Sequence, residues 1–349
     1  MTMWEDILAQ PENLRQVIQR HTENLANALP QINRLSNQTK GVVFTGVGSG
    51  LNATIPASYY LMNHGLFAQS IDTTELIYYL MPGLKDFLLV LNTRSGETAE
   101  LVRAAKLAKD LNLSTIAVTN EPESTVGRLA NFCLPTYSRW DQLVVISAYG
   151  GMLASELILS SMRIGNHSQL LKEIQAIPEI LESVLAKTIT IRDDLGDLIG
   201  DSRPIYLLGR GPSLASAHGG ALVIEETSRQ AVVPMASGLF RQGPIEVVNQ
   251  RFRAIIFEGG DETAGLSRRL AEDLIEKNCG IVWVGSSELK GALNLTIPHM
   301  AAYLLPFLEI IPCQVLAHDL ALRSHITPGS VNYIEKVITS EEGIQAKGE

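Results

Sequence analysis

The spacing of apolar residues gives the first picture of the chain. Between residues 11 and 35, Leu14, Val17, Ile18, Leu25, Leu29, Ile32 and Leu35 recur at the three- and four-residue steps of one helix face, which predicts an N-terminal amphipathic helix. The pattern then changes. Gly41-Val42-Val43-Phe44-Thr45 predicts a short buried strand, ending in Gly46-Val47-Gly48-Ser49-Gly50 before a helical stretch that reaches Tyr60. Further strands are predicted at 66–71, 87–91 and 115–119. The strand at 87–91 runs into Thr93-Arg94-Ser95-Gly96-Glu97-Thr98 and then a helix over 99–111. Continuous apolar strands alternating with helices imply a parallel sheet covered on both faces.

A more charged helical stretch over 168–199 follows, and then the pattern restarts. A strand at 205–208 leads into Gly209-Arg210-Gly211-Pro212-Ser213 and a helix, and a strand at 254–257 leads into Glu258-Gly259-Gly260-Asp261-Glu262-Thr263. This is a degenerate internal duplication. The expected fold is α/β: two tandem domains, each a flavodoxin-like parallel sheet flanked by helices. The expected boundaries are 1–35 for an N-terminal helical segment, 36–165 for the first domain, 166–200 for a helical linker, and 201–349 for the second domain with a C-terminal tail.

Composition narrows the partners. With 46% hydrophobic and 19% charged residues the chain is too apolar for disorder, and its net charge of -9 argues against a broad nucleic-acid surface. The first residues lack the basic and apolar regions of a signal peptide, and no apolar stretch is expected to reach the roughly 18 residues of a membrane span. A cytoplasmic protein without a membrane partner is expected. Cys133, Cys279 and Cys313 are scattered, without metal-ligand spacing, and read as reduced core thiols.

The loop over 93–98 carries the clearest chemistry. Between a parallel strand and a helix start it offers free backbone N–H groups, the positive end of a helix dipole, three hydroxyls and the charge of Arg94, which together suit a phosphomonoester. The competing reading is that Ser95 and Thr98 only cap the helix. In the second copy Glu258 and Gly260 answer Thr93 and Ser95, and an acid there repels phosphate. The turn over 46–50, with Asp72 downstream, is a weak dinucleotide signal because the third glycine of that fingerprint is missing. On the helix after Gly211, Glu225 and Glu226 are adjacent, so at most one faces a cleft; a carboxylate there could shuttle a proton between sugar carbons, or simply be solvated. His218 and His318 read as structural.

These segments resemble the sugar isomerase (SIS) domain family in its double-domain form, as in the isomerase part of glucosamine-6-phosphate synthase, fructosamine-6-phosphate deglycases and AgaS-like proteins. The resemblance runs from about residue 36 onward and implies two tandem SIS domains. It is carried by 48–53, by 93–98, and by 209–244 with its Glu226-Thr227-Ser228 and Phe240-Arg241-Gln242-Gly243-Pro244. It implies that Thr93, Arg94, Ser95 and Thr98 bind phosphate with Gly48 and Ser49 beside them, and that Glu226 moves the proton. It further implies that Ser147 lines the sugar site and that Lys336 closes over it. Gly50 stands where relatives often have serine, Gly219 and Val223 where the synthase has glutamate and lysine, and Gln242 where the family has histidine. Glutamine hydrogen-bonds but does not exchange a proton near neutral pH. The implied function is a phosphosugar isomerase-type enzyme acting on a 6-phosphorylated sugar, amino sugar or fructosamine, or alternatively a non-catalytic phosphosugar sensor. The partner is the small sugar phosphate, the assembly a homodimer, and neither metal nor organic cofactor is called for. No glutaminase or helix-turn-helix segment is recognised in the sequence, so a paired SIS module is the expectation.

Overall fold

Strand β1 (Gly41–Gly46) is buried at every position, which is why its sequence reads as an unbroken apolar run and not as an alternation. The computed structural model describes residues 2–200, 204–333, 335 and 337–341. In it β1 pairs in parallel with β2 (Phe67–Asp72) on one side and β3 (Phe87–Thr93) on the other. Next come β4 (Ser114–Thr119) and β5 (Phe132–Pro135), giving the order β2-β1-β3-β4-β5. Four helices matter here: α1 (Gln10–Ser36), α2 (Ser49–Asn63), α3 (Ala99–Asp110) and α4 (Ser147–Arg163).

Helix α3 lies on one face of this sheet. Its Leu101, Ala104, Ala105 and Ala108, at the spacing of a single helix stripe, join Val43, Leu89, Leu91 and Ala117 in one apolar cluster. Helix α4 packs against α1 and α2. Almost every residue of α4 is buried, so it has no polar side and no periodic stripe by which the sequence could announce it. Its N-terminus is capped by Asp141, whose carboxylate accepts the N–H groups of Ile146, Ser147 and Ala148 at 3.0, 2.8 and 2.9 Å.

The second sheet repeats the order. Strands β6 (Ile205–Gly209), β7 (Val232–Ala236), β8 (Arg253–Phe257), β9 (Gly280–Gly285) and β10 (Leu293–Thr296) are all parallel and lie in the sequence β10-β9-β8-β6-β7. Read from the other end, this is the topology of the first sheet. Around it stand α5 (Leu214–Ser228), the short α6 (Ser237–Phe240), α7 (Asp261–Glu276) and α8 (Pro306–Arg323), with α5 packed on α8. Tyr206, Phe240 and Phe252 stack within 4.9–5.6 Å of one another between ring centroids in an aromatic cluster that also holds Trp283.

The chain divides into two compact units. One comprises residues 9–178 and 331–349 and holds the first sheet; the other comprises 1–8 and 179–330 and holds the second. The helix Met3–Leu8 thus belongs with the second sheet, where Trp4 lies against His318 at 4.8 Å between ring centroids.

One expectation is corrected. The helical stretch Ala302–Arg323 is long and apolar enough to cross a membrane by length and composition, with a mean hydropathy of 1.3, and 94% of it is buried in the fold. Glu309, Gln314, His318 and Asp319 interrupt the apolar run, so a search for an unbroken stretch overlooks it. The three cysteines are free thiols, and burial raises the Cys133 thiol to about 11.

Candidate functional site

Strands β1 and β3 are neighbours, while the chain crosses to β2 between them, so the strand order reverses at the gap between their C-terminal ends. In open parallel sheets ligands bind at that switch point. Both glycine- and hydroxyl-rich loops singled out in the sequence stand there, the turn 46–50 after β1 and the loop 93–98 after β3.

The turn is drawn tightly against β3. Gly48 has φ +53°, a Cβ on Gly50 would lie 2.9 Å from the carbonyl oxygen of Asn92, and Asn92 Nδ2 donates to the Gly50 carbonyl at 3.1 Å. The departure at Gly50 therefore has a physical cause, because a side chain there meets backbone. Ser49 is half-buried in the first turn of α2.

The loop 93–98 is ordered by its own hydroxyls. Thr93 Oγ1 accepts the Gly96 N–H at 3.1 Å, and Ser95 Oγ accepts the Glu97 N–H at 3.2 Å. A hydroxyl that accepts from backbone keeps its proton for a ligand oxygen. Thr98 is the N-cap residue of α3 but makes no side-chain cap bond, so the capping reading does not account for its hydroxyl. Gly96 has φ +68°, and a Cβ there would stand 1.8 Å from Ser124 Oγ. The Glu97 carboxylate accepts the Thr125 N–H at 2.6 Å and is thereby held on the side of the next helix.

Arg94 is placed differently from the rest of the loop. Its guanidinium lies 5.0 Å from the centroid of the Trp140 ring and 3.4–3.5 Å from the Leu143 carbonyl, while Trp140 Nε1 donates to Glu121 at 2.6 Å. Its charge is thus anchored along the segment 140–143 beside the loop. Ser147, at the start of α4, is 1% exposed; its N–H is held by Asp141 and its carbonyl accepts from Asn13.

The tail also reaches this edge. The Ala99 N–H, first in α3, donates to the carbonyl of Ile338 at 3.0 Å, and Glu341 accepts from Tyr78 at 2.9 Å and from Arg103 at 3.2 Å. Lys336 lies outside the described residues. Asp72 caps the next helix, its Oδ1 accepting the Thr74 and Glu75 N–H groups at 2.8 and 3.3 Å, a local role that explains the residue without a dinucleotide.

The remaining candidates belong to the second unit. Glu225 is exposed and its carboxylate accepts the Val232 N–H at 3.3 Å, whereas Glu226 beside it is half-buried near the C-terminal end of α5. Partial desolvation of the carboxylate against its neighbours raises the Glu225 pKa, opposed by the Val232 N–H. Gln242 is exposed just after α6. Among the described residues no group of three or more metal-ligating side chains comes together.

Residues 35–154, which contain both loops, match the SIS domain family model. The glutamine–fructose-6-phosphate aminotransferase (isomerizing) of Pyrobaculum aerophilum is 25% identical over 97% of this chain, which spans 57% of that relative's length. Among solved structures, the C-terminal domain of the glucosamine-fructose-6-phosphate aminotransferase of Francisella tularensis superposes with a TM-score of 0.82 at 18% identity, over 92% of this chain and 95% of that one. The tagatose-6-phosphate ketose/aldose isomerase of Escherichia coli gives a TM-score of 0.81 at 19% identity, over 94% of both chains. The fold is shared with these solved structures, and residues 35–154 match the SIS domain family.

Proposed function

We propose that the protein is a phosphosugar enzyme of the isomerase type, acting on a 6-phosphorylated sugar, amino sugar or fructosamine. The observation that carries this reading is the set of hydroxyls on Thr93, Ser95 and Thr98 at the switch point, two of them already accepting from backbone and the third unused by the cap. Gly48 and Ser49 complete the cradle from the neighbouring strand, and Arg94 adds positive potential from its seat on Trp140. The phosphate is the handle that holds the reacting carbons in place.

In this reading Glu226 is the base. Its carboxylate takes a proton from the carbon beside the sugar carbonyl, the electron pair forms the C=C of an enediolate or enolamine, the proton equivalent returns to the neighbouring carbon, and in an aldose–ketose exchange the hydroxyl proton passes between the two oxygens through solvent. Gln242 donates a hydrogen bond to the sugar oxygen and takes no proton, and Lys336 closes over the ligand from the tail. Ser147 supports the wall of the site from inside the unit. The assembly is a homodimer. A second reading, a phosphosugar sensor with little turnover, is favoured by Gln242, Gly219 and Val223, each of which lacks the ionisable group that the family carries there.

A screen of 6-phosphorylated sugars, amino sugars and fructosamines by melting temperature and turnover, on the wild type and Glu226→Gln, separates these readings. A ligand that stabilises both proteins and is converted only by the wild type supports the enzyme. Stabilisation without turnover in either supports the sensor, and stabilisation by none removes phosphosugar binding altogether.

A further inference from the structure

The second sheet has a switch point of its own, between the ends of β6 and β8, and Arg210 stands directly after β6 there, where the first sheet has Val47 after β1. The hydroxyl loop is gone from this copy, with Glu258 for Thr93 and Gly260 for Ser95. A cation has appeared one strand away instead.

Two acids at this edge, Glu258 and Glu309, are committed to other partners. Glu258 accepts from the Ser286 hydroxyl at 2.8 Å and has Arg268 at 3.8 Å. Glu309, wholly buried on α8, accepts from Ser213 at 2.9 Å and Ser216 at 2.6 Å. Arg210 has no acidic partner among the described residues, and its Nε is buried with no hydrogen-bond partner. Its guanidinium lies over the start of α6, where a Cβ on Gly238 would come 3.0 Å from Nη1. Arg241, at the other end of α6, holds Asp273 at 3.5 Å on the surface, yet its charge still depresses the pKa of Arg210, after burial, the larger cause. Arg210 thus carries a charge without an acidic partner among the described residues, close enough to Arg241 to feel its charge, and an arginine fork matches an oxyanion in two parallel hydrogen bonds.

We propose that Arg210, assisted by Arg241, forms a second anion site on this chain, taking the phosphomonoester or carboxylate group of a small molecule at the end of β6. It is separate from the loop 93–98 and does not depend on the reading of that loop. The test therefore begins with Ser95→Ala/Thr98→Ala, in which the first site is disabled, and titrates it with methyl phosphate and separately with acetate, following heat of binding. Saturable binding of either probe that weakens at least tenfold on adding Arg210→Gln is the expected result, and the tighter probe names the group. No saturable binding of either probe, or affinity unchanged by Arg210→Gln, overturns the proposal. Should the glutamine variant not fold, Arg210→Lys keeps the charge without the fork and is expected to bind severalfold more weakly; wild-type affinity in it counts against the site. Loss of phosphosugar binding in Ser95→Ala/Thr98→Ala alone concerns the first site only.

Discussion

Glu226 and Gln242 stand at opposite ends of the same sheet. Helix α5 starts at the C-terminal edge, after β6, and Glu226 lies twelve residues further on, about 18 Å along the axis at 1.5 Å per residue. From there the chain re-enters the sheet at Val232, crosses it in β7, and only then reaches Gln242. Two side chains so disposed within one unit do not reach one sugar. If both serve the same substrate, they come from two copies of the chain.

That geometry gives the first prediction. Glu226→Gln and Gln242→Ala, each weakly active alone, are expected to regain up to about a quarter of wild-type activity when mixed and re-equilibrated, because some mixed dimers hold one site with both residues intact. Light scattering of the wild type at micromolar concentration is expected to give twice the chain mass. A monomer, or mixing without any recovery, counts against a shared site.

The hydroxyl loop gives the second. A hydrogen bond to a charged phosphate contributes about 1.5–3 kcal/mol, so Ser95→Ala and Thr98→Ala are each expected to weaken phosphosugar binding at least tenfold. Melting temperature without ligand should hardly change, since Thr98 makes no cap bond and Ser95 holds one N–H. Calorimetric titration of each variant decides it.

Gly96 gives the third. Alanine there sits in the left-handed region, at roughly 1–2 kcal/mol, and its Cβ runs into Ser124, which caps the next helix by accepting the Gly127 N–H at 3.2 Å. Overpacking adds about 1–3 kcal/mol. Denaturant unfolding of Gly96→Ala is expected to show a loss of at least about 2 kcal/mol, and Gly96→Ala/Ser124→Gly to recover part of it. Equal stability of Gly96→Ala and wild type would mean that the loop is not held as described.

Two buried groups make stability depend on pH with opposite signs. Burial raises the Glu309 carboxyl from 4.5 to about 7, opposed by its bonds to Ser216 and Ser213, so between those values the folded state keeps a proton that the unfolded state releases. Stability from this group is full below about pH 4.5 and falls as pH rises to 7, by on the order of 3 kcal/mol. His21, buried and 2.8 Å from Ser155 Oγ, is lowered by burial from 6.5 to about 4, so its contribution is full above 6.5 and is lost as pH falls towards 4. In melting curves from pH 4.5 to 8, Glu309→Gln is expected to lose the component of stability that falls as pH rises to 7, and His21→Gln the component that is lost as pH falls below 6.5, so each variant uncovers the slope that the other group opposes. Profiles parallel to wild type in both variants would show that neither group titrates as its surroundings imply.

Much of this architecture is legible in sequence because a strand buried on both faces, as β1 and β3 are, leaves an unbroken apolar run that ends in a glycine or hydroxyl turn. The signal fades where burial is uniform. Helix α4 has no polar side, so no period of 3.6 survives, and β5 and β10, four residues each, are too short to show a pattern. The loop 93–98 can be read from residue type alone, but the seat of Arg94 on Trp140 depends on residues some fifty positions apart, as the Leu143 bond shows with its separation of 49. The contact of Ile338 with Ala99 and the membership of residues 1–8 in the unit of the second sheet are tertiary facts with no local signature.

The proposed step is a proton transfer by Glu226 between carbons of a phosphorylated sugar. The most direct measurement is solvent exchange in D2O, following by NMR the carbon-bound hydrogens beside the carbonyl of whichever phosphosugar stabilises the protein. Exchange is expected with the wild type, and a rate at least a hundredfold lower with Glu226→Gln at unchanged ligand affinity, the scale of losing a general base. Exchange at the wild-type rate in Glu226→Gln would contradict it.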